Sequence, residues 1–138
     1  MLAGSLQHYK EIQVNTASGV SLIIVALDAG LKHLGAAREA MKAGRARDAA
    51  KSLEKVYGLL GELSGSLNFE AGEIAVRLFS LYEFCGRQIA EASARKDPAG
   101  LEVVRDILLT LRQAWVECHR NGAGRRFEPP RGFEVVVG

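Results

Sequence analysis

The residues with most chemistry to offer in this sequence are His8, His33, His119, Cys85 and Cys118. A zinc site needs such ligands brought close together, and short spacings such as Cys-x-x-Cys or His-Glu-x-x-His mark it. Neither spacing occurs here, and no Walker sequence does. The Glu-x-x-His pair of carboxylate-bridged metal centres in helical bundles is missing too. Gly122-Ala123-Gly124 opens like a dinucleotide fingerprint, but no third glycine follows in register and no strand precedes it. The histidines, far apart in sequence, read as surface or packed groups. Cys85 and Cys118 fall on apolar seams and read as small buried apolar residues with free thiols. No cofactor or metal is therefore expected, and the chain is not expected to be an enzyme.

Composition narrows the alternatives. A chain of 138 residues is one domain by length, and 48% apolar with 25% charged residues is ordinary for a folded, water-facing protein. The net charge of +2 lies in residues 120–138, where Arg120, Arg125, Arg126 and Arg131 stand against Glu128 and Glu134. Residues 1–119 then sum to zero. A neutral body lacks the clustered cations that phosphate contacts require, so nucleic-acid binding is not expected. Residues 1–15 lack a basic stretch followed by an apolar run, so no secretory signal is read there. The longest apolar run nearby, Leu22–Leu27, is too short to cross a bilayer. The expectation is a cytoplasmic protein without membrane insertion.

The elements that must position any functional group are helical. Aromatics make up 7% of the chain, and no proline precedes Pro98, which disfavours an all-β fold. Ser18 or Thr16 can cap a first helix over 19–42. Its apolar residues fall into two stripes. Leu22, Val25, Ala26, Ala29, His33 and Ala36 form one, and Val20, Ile24, Leu27, Leu31 and Leu34 the other. A surface helix needs only one stripe, so the second is read either as packed inside the bundle or as a groove for an amphipathic partner segment.

Ala49, Leu53, Val56, Leu60 and Leu63 give the seam of a second helix over 46–65. Gly58, Gly61 and Gly65 each weaken it by about 1 kcal/mol relative to alanine. Asn68 reads as the cap of a third helix over 69–96, with seam residues Ile74, Leu78, Leu81, Cys85, Ile89 and Ala92. Asp97-Pro98 separates it from a fourth helix over 98–119, with Leu101, Val104, Leu108, Leu111 and Trp115 on its seam. Four such helices on short links predict an all-α, antiparallel up-down four-helix bundle. The expected organisation is an N-terminal segment over 1–17, the bundle over 18–119 and a flexible tail over 120–138.

One ordered set of residues is more specific than these patterns. Tyr9 followed by Gln13-Val14-Asn15-Thr16-Ala17-Ser18, then Leu22, Asp28 and Leu31, resembles the N-terminus of the flagellar secretion chaperone family, FliS. The likeness resumes at Leu67-Asn68 and Gly72-Glu73-Ile74-Ala75. It continues through Leu78, Leu81-Tyr82 and Arg87, and ends with Ala92, Asp97, Leu101, Val104, Leu108, Leu111-Arg112 and Trp115. It covers residues 9–117. This chain departs from the family with Gly19 in place of a proline, and with Ala26-Leu27-Asp28-Ala29 in place of Leu-Tyr-Asp-Gly.

The resemblance implies a cytosolic bundle that binds the C-terminal segment of newly made flagellin. It also implies prevention of early polymerisation and help in delivery to components of the flagellar export apparatus. By position, Tyr9, Ile12 and Val14, with Gln13 among them, would cap an apolar groove in the free chaperone and move aside for the client. On the first helix, Ile24, Leu27, Leu31 and Leu34 are the expected groove residues. A bundle of structural or regulatory role, forming a homodimer through the same stripe, is the alternative.

Overall fold

A computed structural model of the chain describes residues 19–121. Four helices account for most of it: α1 (Gly19–Lys42), α2 (Ala46–Gly65), α3 (Glu73–Arg95) and α4 (Pro98–Arg120). A short 3₁₀ turn, Phe69–Ala71, precedes α3. α1 packs on α2 and α4, and α3 packs on the same two helices, so the four form a closed ring in chain order. Short links make each neighbour antiparallel. The expected antiparallel bundle is the fold.

Both ends of the third helix differ from the sequence expectation, and α4 runs one residue past its expected end, to Arg120. The third helix does not begin at Phe69. Gly72 sits at φ 88°, outside the helical region, and separates the 3₁₀ turn from α3. Asn68 does cap, but it caps the turn: its side chain accepts from the Glu70 N–H at 3.0 Å. At the other end, Lys96 adopts the left-handed conformation (φ 52°) and stops α3 at Arg95. Asp97 then accepts from the Ala99 N–H at 3.0 Å and Pro98 opens α4, as its fixed φ favours. Gly100 in that first turn is required by close approach, since a Cβ there would come within 2.8 Å of the Ala92 Cβ.

The core runs the length of the ring. Leu27, Val56, Leu81, Cys85, Ile89, Leu101, Val104, Leu108 and Leu111 are all but fully buried. α1 contributes one face rather than two stripes: Ala26, Leu27, Gly30, Leu34, Ala37 and Ala40. Gly30, Ala37 and Ala40 carry little hydrophobic signal, so a search for bulky residues divides the face, with Ala26 in one stripe and Leu27 and Leu34 in the other. At Gly30 there is room for a methyl and little more, with Leu108 and Leu59 methyl carbons each 3.6 Å from where a Cβ would stand.

Taken over its whole length, and not by its longest unbroken apolar run, α1 is long and apolar enough to cross a bilayer. In the bundle its small-residue face is packed on α2 and α4, while Asp28, Lys32 and Glu39 ride on the exposed remainder. Two ion pairs tie α1 to α4: Arg38 with Glu102, and Arg112 with Asp28. The second is two-pronged, with the Arg112 Nη2 also reaching the Asp28 Oδ2 at 3.5 Å.

Candidate functional site

An apolar concavity lies at the link between α2 and α3. The link from Ser66 to Gly72, with its 3₁₀ turn, precedes the start of α3 at Glu73. An apolar cleft of about 220 Å³ opens beneath it. Its walls come from all four helices: Ile23 from α1, Leu63 from α2, Ile74, Leu78 and Tyr82 from α3, and Trp115 from α4. Leu67 and Ala71 close it from the link, and Ser66 and Asn68 supply its polar edge. The Ser66 hydroxyl is turned onto the Leu63 carbonyl at 2.8 Å, which leaves the interior apolar. The volume is below the roughly 300 Å³ at which small-molecule sites begin. It suits one or two apolar side chains of another segment.

A second apolar strip runs up the groove between α1 and α4. Ile24 and Leu31 are half-buried there, on either side of the Asp28–Arg112 pair. Leu109 and Val116, also half-buried, lie by helical register on the Arg112 side of α4. The pair holds a polar bridge across an otherwise apolar floor. The hydrogen bond to Asp28, then its charge, raises the Arg112 pKa further, so the guanidinium stays charged.

The structure divides the four groove residues expected on α1. Leu27 and Leu34 are core residues, 1% and 2% exposed, and turn inward beside Gly30. Ile24 and Leu31 stand on the flank toward α4. Leucines three and four positions apart thus end on different surfaces, because the buried face is centred on Gly30. Tyr9, Ile12, Gln13 and Val14 lie outside the described residues. Sequence reasoning placed Ile74 and Trp115 on helix seams and left Ile23 out. The signal for the cleft was Gly72 close after the Asn68 cap, which marks a helix start broken in two.

The remaining reactive groups are held quiet. Burial pushes the Cys85 thiol up to about 12, so it stays protonated, and both cysteines are free. Tyr82, buried in the cleft wall, is raised by the same cause. His33 is lowered by partial burial and then by Lys55 and Lys32, which keeps it neutral at physiological pH. Among the described residues no group of three or more His, Cys, Asp or Glu side chains could hold a metal ion.

What this arrangement offers is apolar surface, in a cleft and in a strip, to another stretch of polypeptide. The class it defines is a helical-bundle binding protein. The comparisons make that class specific: the chain belongs to the FliS family of flagellar proteins, whose profile matches residues 2–122. It is similar to the flagellar secretion chaperone FliS of Vibrio cholerae, with 29% identity over 119 residues, covering 83% of this chain and 88% of that protein. The flagellar secretion chaperone FliSB of Pseudomonas aeruginosa is 32% identical over 106 residues, covering 76% and 84%. The FliS of Salmonella typhimurium is 27% identical over 119 residues, covering 82% and 88%. The family is thus one of chaperones for flagellar secretion.

Proposed function

We propose that this chain is a cytoplasmic export chaperone for flagellin, acting by stoichiometric binding to the client's C-terminal segment. On this reading the client is kept from polymerising and is handed to the flagellar export apparatus. The observation that carries the reading is the position of the cleft. It opens at the end of the bundle where α1 begins, and Ile23 in its wall is four residues into that helix.

Val14 stands five residues before Gly19, a reach of up to about 17 Å in an extended chain. Tyr9, Ile12 and Val14 are therefore within reach of the cleft, and one or two of them can fill it while no client is bound. A groove covered in this way is hidden from aggregation when empty. The client would take the cleft and continue along Ile24 and Leu31. A disordered client segment has no core of its own, and burial of its apolar face is what holds it. Delivery follows from reversibility, since no bond is made or broken.

The test is seeded polymerisation of flagellin followed by light scattering. One equivalent of the full chain is expected to suppress fibre growth, and half an equivalent to suppress about half of it. Growth unchanged at several equivalents would overturn the proposal.

A further inference from the structure

Two ion pairs fix how α4 stands against α1. Asp28 on α1 meets Arg112 on α4, and Arg38 on α1 meets Glu102 on α4. The pairs lie ten residues apart on each helix, about 15 Å at the helical rise. They therefore set a single antiparallel register. That register puts Ile24 opposite Val116 and Leu31 opposite Leu109, all four half-buried. The Asp28–Arg112 pair stands between these two apolar pairs, about 6 Å along α1 from the first and about 4.5 Å from the second. No segment can cover both apolar pairs without also covering the ion pair.

In the free chain that ion pair is wet. The Arg112 side chain is 38% exposed and that of Asp28 49%. Arg112 turns its Nε and Nη2 onto the two Asp28 oxygens. A guanidinium has more donors, and a carboxylate more acceptor positions, than this contact uses. A segment that brought only carbon to this point would strip water from those groups and leave them unmatched. That cost would offset the gain from the apolar pairs on either side.

The pair also defines the group that would match it. It is neutral overall, with donors on the α4 side and acceptors on the α1 side. A carboxylate from the client would gain Arg112 and meet the charge of Asp28, and an ammonium would meet the reverse. A carboxamide carries an acceptor and donors on one planar end, so it satisfies both sides at once.

We propose that Asp28 and Arg112 form a specificity site for the side-chain carboxamide of an asparagine or glutamine in the docked segment. The amide oxygen accepts from Arg112 and the amide nitrogen donates to Asp28. Apolar side chains flanking that residue cover Ile24 with Val116 and Leu31 with Leu109. This assignment rests on the chain being a chaperone for the flagellin segment, and it adds the polar group that sets the segment's register on the bundle.

The test is calorimetric titration of the full chain with the flagellin C-terminal segment, as wild type, as Asp28→Leu/Arg112→Leu and as Asp28→Ala/Arg112→Ala. Exposed ion pairs contribute little to folding, so both variants are expected to stay folded, as a thermal melt checks. The leucine variant makes the floor of the strip continuously apolar. A client face that is apolar at this point would bind it more tightly than wild type. The expected result is the opposite, with binding weaker by about tenfold in both variants. Each asparagine and glutamine of the segment is then changed in turn to alanine. One such change is expected to cost wild type about tenfold and to cost either variant no more than about twofold. Changing that same residue to its acid is expected to weaken wild-type binding as well. Binding by the leucine variant as tight as wild type, or tighter, would overturn the proposal and leave the client reading standing. So would a segment in which no asparagine or glutamine depends on the pair. An acidic replacement that tightened binding would assign the pair to a charged client group and overturn it equally. No binding of the segment by folded wild type would overturn the client reading, and this site with it.

Discussion

Leu31→Asp is expected to weaken binding of the flagellin C-terminal segment by about 30- to 150-fold while leaving the bundle folded. Leu31 is half-buried on the α1–α4 flank, so covering the remainder on client binding contributes about 1 kcal/mol. Desolvating a carboxylate in its place costs about 1–2 kcal/mol more, together roughly 2–3 kcal/mol. In the free protein the same carboxylate reaches water at the rim. The cost to folding should stay at about 1–2 kcal/mol, seen as a fall in Tm of roughly 5–15 °C for a domain of this size. Titration of the variant against the segment and a thermal melt of the free variant check the two halves separately. Leu34→Asp is the contrasting substitution, three residues away. Leu34 is 2% exposed, and an unpaired charge in its place has no route to solvent. That variant is expected not to fold. If Leu31→Asp bound the segment as tightly as wild type, the α1–α4 strip would not be part of the client surface.

Leu27→Ala should give the largest loss of stability available from a single truncation on α1, about 3–4 kcal/mol with Tm lower by roughly 15–25 °C. Leu27 is 1% exposed and sits in the core beside Gly30. Gly30 and Ala26, its neighbours on the buried face of α1, cannot extend to fill the void. Client affinity, measured well below the lowered Tm, should change by less than about threefold, a difference of roughly 0.7 kcal/mol. Denaturant unfolding together with the same titration reads both quantities. A loss of binding without a loss of stability would place Leu27 on the client surface instead of in the core.

These two expectations differ because the structure resolved what hydrophobic spacing left open. The bundle itself was legible: seam residues such as Leu53, Val56, Leu81, Ile89, Leu101 and Leu108 recur at three- and four-residue intervals, and they are buried. The Asp97-Pro98 boundary was legible because cap and proline chemistry act locally. The face of α1 was not. Gly30, Ala37 and Ala40 carry little hydrophobic signal, yet they form its centre by letting neighbouring helices come close. Periodicity put Ala26 with Ala29 and His33 in one stripe and Leu27 and Leu34 with Ile24 and Leu31 in the other, and so divided a single buried face and joined each half to a flank. The cleft was hidden for another reason. Its wall residues come from four helices and a link, and periodicity fixes the face of each helix without saying which residues of different elements meet.

This bundle is proposed to hold flagellin by burying the apolar face of its C-terminal segment. Calorimetric titration of the full chain with that segment, taken from flagellin of the same organism and repeated at several temperatures, tests it most directly. Saturable binding at one segment per chain is expected, with a clearly negative heat-capacity change, the signature of apolar burial coupled to client folding. Absence of binding by chain verified as folded would contradict it. Binding whose enthalpy does not vary with temperature would contradict the apolar mechanism.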